Sequence, residues 1–127
     1  MMDYLERLMD YRLKGYCCSQ MLLQLGLDDQ EKENRDLINA MKGLCGGLYS
    51  GKLCGALSGG ACLLSFYNPE KGPLELAPQL VAWFEETFES CDCATLLKGN
   101  EERQGEVCEN LVVMTYEKVM ALLEENA

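Results

Sequence analysis

The chain contains no histidine. That absence removes Ser-His-Asp and Cys-His catalytic arrangements, histidine-ligated zinc and histidine-ligated haem. Any special chemistry must come from thiols, carboxylates, lysine, tyrosine or backbone groups. Cations are also scarce, with 11 Lys and Arg against 21 Asp and Glu, for a formal charge of −10. An acidic surface repels phosphate backbones and anionic headgroups, so neither nucleic acid nor a membrane surface is an expected partner. The plain consequence of the charge is solubility, and docking to a basic partner is its other use. Long apolar runs are missing as well. The longest charge-free stretch lies between Lys52 and Glu70; it is short for a membrane span and rich in Gly, Ser and Cys, so it reads as a buried helix and no membrane insertion is expected. At the N-terminus, charges interrupt Met1-Met2-Asp3-Tyr4-Leu5-Glu6-Arg7-Leu8 too early for the apolar segment of a signal peptide. The expected compartment is the cytoplasm, where thiols are kept reduced. Strand-like alternation is absent, and so is any repeat of roughly 20–50 residues.

What is present fits one helical domain over residues 1–127. A chain of this size buries roughly two thirds of its unfolded surface and folds on one core without staples. Its 48% apolar content is that of a globular protein. Met1, Leu5, Leu8, Met9 and Leu13 step by three and four, predicting one face of a first helix over 1–13. A second helix is expected from about Cys17 to Leu25, with Gly26 as its stop. A third is expected to begin at Asp28 or Asp29 and to bury Leu37, Ile38 and Met41. Gly43, Gly46, Gly47 and Gly51 mark 43–53 as a loop, since glycine is costly in helix interiors and tolerates positive φ. A central helix then runs from Cys54 to Tyr67, stopped by Asn68-Pro69 and Gly72-Pro73. Residues 76–89 carry an apolar stripe of Ala77, Leu80, Val81, Phe84 and Phe88, with Pro78 suited to a first turn. Residues 90–99 read as a turn, and 105–125 as a last helix whose stripe is Cys108, Leu111, Val112, Tyr116, Val119, Leu122 and Leu123. The expected fold is an all-α, compact bundle of about five to six helices, with a Gly-rich loop before the central helix.

Eight cysteines stand against the missing histidines. Cys54 follows the loop and opens the central helix, where free backbone N–H groups favour negative charge. Its thiol pKa is therefore expected to be lowered, with Lys52 two residues away; the plain alternative is a small core thiol. Gly51, Gly55 and Gly59 belong to a run of glycines at every fourth position. Gly55 and Gly59 share a helix face and suit close helix packing; the functional use of the three would be access for a substrate or cofactor to the thiol. Cys17 and Cys18 point about 100° apart on a helix, so only one faces a given site, and Cys17 is read as an ordinary helix position. Cys45 is either a mobile second thiol or incidental, Cys62 fills core, and Cys91 reaches the same centre as Cys93 only in an extended or turn backbone.

The element Cys54-Gly55-Ala56-Leu57-Ser58-Gly59 resembles the signature of the C_GCAxxG_C_C family, although that name writes the first pair as Gly-Cys. The family has one cysteine upstream and two downstream. The upstream one matches Cys18 in Gly15-Tyr16-Cys17-Cys18-Ser19-Gln20. The downstream pair matches Cys93 in Cys93-Ala94-Thr95-Leu96-Leu97 and Cys108 in Glu106-Val107-Cys108-Glu109. The resemblance runs from Gly15 to the last helix and implies redox activity through Cys18, Cys54, Cys93 and Cys108, without naming a substrate.

Two chemistries use those four thiols. In the first, thiol–disulfide exchange of an oxidoreductase kind, Cys54 attacks as a thiolate, Cys18 or Cys93 resolves the product, and no cofactor is required. The partner is then a redox protein or a small electrophile. In the second, the four cysteines ligate an iron–sulfur cluster or another metal in an electron-transfer module, without the usual Cys-x-x-Cys spacing. A non-catalytic helical interaction protein with cysteines in its core is the third reading. Exposed Met and Tyr on a bundle are compatible with a homodimer.

Overall fold

The central helix is almost wholly apolar, and three of the longer helices are arranged to cover it. The computed structural model describes residues 4–126. Seven α-helices occur among them: α1 (Tyr4–Leu13), α2 (Cys18–Asp29), α3 (Arg35–Met41), α4 (Gly55–Tyr67), α5 (Ala77–Phe88), α6 (Cys93–Leu97) and α7 (Gln104–Glu125). There is no named strand among the described residues; the one β-type pairing is an isolated bridge between Leu53 and Asp92. Helix α4 is flanked by α2, α5 and α7, and α2 also packs on α7 and α3. The core runs through all of them, with Leu22, Leu25, Leu63, Leu80, Phe84 and Tyr116 fully buried. The all-α expectation holds.

Small residues set the spacing of the central pair. A Cβ added to Gly59 would lie 3.0 Å from Ser19 Cα, and one on Gly55 would lie 3.3 Å from the Ser19 nitrogen. The backbone of α4 therefore rests directly on the first turn of α2. That contact brings the start of one helix against the start of the other.

Several expected boundaries move. Met1 lies outside the described residues. Of the other positions assigned to the first stripe, Leu8 is buried, while Leu5, Met9 and Leu13 are exposed. The inward face of α1 is instead set by Tyr11, whose hydroxyl donates to Asp28, and by Arg7, which pairs with Asp29 at 3.0 Å. Gly26 does not stop α2. It is buried inside the helix, because a side chain there would run into Leu63, whose Cδ1 is 2.4 Å from the place a Cβ would take. Asp28 and Asp29 finish α2 rather than opening α3, and Tyr116 donates to Asp29 from the far side. The third helix starts at Arg35, where the Asn34 side chain accepts from the Leu37 N–H at 3.1 Å. Sequence periodicity could not weigh these tyrosine–aspartate pairs against an N-cap preference. The seventh helix is α6, a short piece inside the predicted 90–99 turn. Val81 of the predicted α5 stripe is exposed.

The 43–53 loop holds short helical turns and a left-handed one. Gly46, Gly47, Leu48 and Tyr49 all have φ between 54° and 64°. For leucine and tyrosine that conformation is costly, which the neighbouring glycines avoid.

Two glycine substitutions should act with opposite sign. Gly59→Ala adds up to about 1 kcal/mol of helix preference. It also forces two backbones apart at a cost of roughly 1–3 kcal/mol. The expected net effect is a loss of about 1–2 kcal/mol, read from the urea midpoint at unchanged slope. Gly43, with an ordinary φ and no atom within 4 Å of its would-be Cβ, should give a neutral or slightly more stable alanine variant, by up to about 1 kcal/mol.

Candidate functional site

Cysteines collect where helices begin. Cys54 is the residue immediately before α4, Cys18 and Cys93 are the first residues of α2 and α6, and Cys108 sits in the first turns of α7. The segments carrying Cys54 and Cys93 are laced together. The Cys54 N–H donates to the Cys91 carbonyl at 2.8 Å, and the Cys93 N–H donates to the Lys52 carbonyl, on either side of the Leu53–Asp92 bridge. Cys18 reaches the same place through the glycine contact, since its Cβ is 3.5 Å from the position a Gly55 Cβ would occupy.

These four sulfurs border one cavity of about 370 Å³. Met21, Leu96 and Leu111 give it an apolar side, and Arg12 and Gln104 a polar one. Arg12 pairs with the buried Glu109 carboxylate at 3.1 Å, which balances its charge. Gly55 is part of the wall; Gly51 and Gly59 are not. Gly59 serves the α2 contact, and Gly51, at φ 69°, packs on Ala94 of α6.

The four thiols differ in acidity. The helix-terminal N–H groups of Ala56 and Leu57 favour the Cys54 thiolate, as expected, but Cys54 is only 3% exposed. Burial outweighs those donors and pushes its pKa up to about 11, so the expected lowering is overturned. Lys52, the expected helper, is exposed to solvent. Cys18 and Cys108 stand on the wall of the same cavity, near enough for each thiol to shift the acidity of the other. A thiol donating to a thiolate stabilises the single negative charge, so the pair loses its first proton easily and its second with difficulty. The charge rests on Cys108, held below the ordinary thiol value by the Cys18 thiol and helped by Arg12, against burial and Glu109. Cys18 is held well above that value by the Cys108 thiolate and by burial. Burial raises Cys93 too, with Cys108 and Asp92 adding to it.

The remaining cysteines divide. Cys17 and Cys45 form a disulfide with Cα atoms 5.7 Å apart. The reading of Cys17 as an ordinary helix position is therefore corrected. It lies one residue before α2, in extended backbone at φ −98°, ψ −178°. The 100° argument for adjacent helix positions does not apply there. Cys45 is buried and tied, not a mobile thiol. The only sequence signal for this pair was a cysteine beside a predicted helix start and another in the following loop. Cys91 and Cys93 do not converge: Cys93 lines the cavity, while Cys91 borders a separate cleft with Glu85 and Leu53, where burial and Glu85 raise its pKa. Cys62 packs against the core from α4, and burial raises its pKa as well.

The donor set has the sulfur count of an iron–sulfur cluster. Among the described residues, however, no group of three or more Cys, Asp or Glu side chains stands in a metal-holding arrangement. No helix among those residues is long and apolar enough to cross a membrane. The family model described as "Putative redox-active protein (C_GCAxxG_C_C)" matches residues 16–122. No curated protein and no solved structure matches the chain.

Since the thiolate is the reactive form, the order of acidity is measurable by alkylation against pH. Cys108 should reach half of its maximal rate below pH 9, the ordinary thiol value, because its pKa is lowered from there. Cys54 should still be gaining rate towards about pH 11. Cys18→Ala removes the donor to Cys108 and should move the Cys108 profile to higher pH. Site-resolved mass spectrometry of the alkylated peptides reads all three.

Proposed function

The chain belongs to the C_GCAxxG_C_C family, and from that premise we propose that it is a thiol–disulfide redox protein whose working pair is Cys18 and Cys108. The observation that carries the reading is that these two cysteines, from different helices, line one cavity and shift each other's acidity in opposite directions. Cys108 attacks. Its thiolate forms a bond to one sulfur of a substrate disulfide, and the other substrate sulfur leaves as a thiolate that takes up a proton. Cys18 resolves. Once deprotonated, it attacks the Cys108 sulfur and expels the second substrate thiol. The dithiol is oxidised by two electrons, the substrate disulfide is reduced to two thiols, and the sequence runs in reverse when the protein acts as oxidant. Arg12, whose charge is balanced by Glu109, biases the first ionisation without making the cavity strongly cationic. Cys54 and Cys93 face the pair as less acidic thiols, which assigns them a later part in the cycle than first attack.

An iron–sulfur cluster held by Cys18, Cys54, Cys93 and Cys108 is the second reading, favoured by the gathering of four thiols from four elements around one cavity. Thiolate ligands with no histidine are the right donors for it. The present arrangement of those side chains does not itself form a ligand set.

The test is thiol accounting without oxygen. Six cysteines are free in the structure. An excess of a small disulfide should remove two of them from alkylation, and peptide mapping should find Cys18 joined to Cys108. Cys108→Ser should slow this reaction by at least about a hundredfold, because the attacking thiolate is gone. Cys18→Ser should instead leave the substrate half trapped on Cys108. Loss of a different pair would overturn the assignment. Anaerobically purified protein with stoichiometric iron and sulfide and a brown colour would replace the thiol reading with the cluster.

A further inference from the structure

We infer that the Cys17–Cys45 disulfide is a second redox centre, exchanging with the Cys18–Cys108 dithiol across the wall of the cavity they share. The inference rests on the thiol–disulfide reading above and adds to it an internal acceptor. Cys17 lines the same cavity as Cys18 and Cys108. Cys17 and Cys18 are consecutive, so the bridge begins one residue from a member of the dithiol. Cys45 is buried and does not line the cavity, so Cys17 is the end of the bridge that cavity-facing groups can approach.

The surroundings also accommodate the opened bridge. The fully buried Ser19 hydroxyl lies 3.2 Å from Cys17 Sγ and 4.0 Å from Cys45 Sγ. Its own proton is donated to the Met41 carbonyl at 2.8 Å, which leaves its oxygen lone pairs to accept from a thiol. Reduced Cys17 or Cys45 therefore finds a hydrogen-bond acceptor already in place instead of being orphaned.

The exchange needs no outside oxidant. The Cys108 thiolate attacks Cys17 Sγ; the Cys17–Cys108 bond forms as the Cys17–Cys45 bond breaks. Cys45 leaves with the electron pair and takes up a proton. Cys18, having given up its proton, attacks Cys108 Sγ; the Cys18–Cys108 bond forms and Cys17 leaves, to be protonated in turn. One disulfide is broken and one made; two electrons pass from Cys18 and Cys108 to Cys17 and Cys45, one of the two protons taken up comes from Cys18, and the other comes from the solvent that took the Cys108 proton. The oxidising equivalent is thereby held either at the buried bridge or at the cavity pair.

The experiment follows the disulfide position with no added oxidant. Wild-type protein carrying one disulfide is held without oxygen at neutral to mildly alkaline pH, acid-quenched at intervals, alkylated and mapped. The expected result is an interconverting mixture of Cys17–Cys45 and Cys18–Cys108 isomers at a constant six free thiols. In Cys18→Ser, whose folding is checked by circular dichroism, the second step is blocked and a Cys17–Cys108 bridge should accumulate. A wild-type protein that keeps Cys17–Cys45 alone throughout would overturn the inference, whatever the variant does. If that same protein still forms Cys18–Cys108 with an added small disulfide, the proposed function stands and only the internal exchange falls. If Cys18–Cys108 forms in neither arm, both fall.

Discussion

The contact between the backbone of α4 and the first turn of α2 is the constraint on which the site depends. Two glycines one helical turn apart, Gly55 and Gly59, let the helices meet without side chains between them. Van der Waals attraction over such a surface is small per atom pair and large in sum. Its functional consequence is positional. The contact lies at the beginnings of both helices, so it fixes Cys18 beside Cys54. The Leu53–Asp92 bridge then carries Cys93 to the same point, and α7 closes the arrangement from the other side with Cys108.

Magnitudes decide which of the gathered sulfurs ionises most readily. A helix N-terminus typically favours a nearby negative charge by about 0.3–1 kcal/mol. At Cys54 the net displacement from 9.0 to about 11 corresponds to roughly 3 kcal/mol against the thiolate. Burial therefore overwhelms the dipole there. At Cys108 the sulfur is less enclosed and has the Cys18 thiol for a neighbour, and there the neighbouring thiol outweighs burial. The same physics that makes Cys54 attractive as a motif residue, its tight fit at a helix start, makes it a poor thiolate.

The helical fold was legible from apolar periodicity, and α4, α5 and α7 fell close to their expected places because their stripes or terminators are local. The four cavity cysteines were legible only as a family pattern, since nothing in sequence spacing says that residues 18, 54, 93 and 108 meet. What stayed hidden depends on partners far along the chain. Tyr11 and Tyr116 draw Asp28 and Asp29 onto the end of α2; Leu63 requires Gly26 within it. The Cys17–Cys45 bond was missed for a smaller reason. Moving a helix start by one residue, from Cys17 to Cys18, turns Cys17 from a helix position facing away from its neighbour into an extended residue able to reach a loop.

That loop joins the two halves of the site mechanically. Its left-handed turn puts Leu48 and Tyr49 at positive φ, each at a cost of roughly 1–2 kcal/mol. A disulfide closing a sequence separation of 28 removes unfolded-state freedom worth roughly 3–4 kcal/mol on a chain-entropy view. The two quantities are of the same size, so the bond at Cys45 is enough to offset the strained turn next to it. The far end of the turn is held independently, by the Lys52 N–H on the Gly47 carbonyl at 2.9 Å and by the Lys52 carbonyl on the Cys93 N–H. Opening the bridge would thus release the turn at Cys45 while leaving it fastened beside Cys93. The segment has one redox-cleavable anchor and one hydrogen-bonded one, and the partner residue of each, Cys17 and Cys93, lines the cavity.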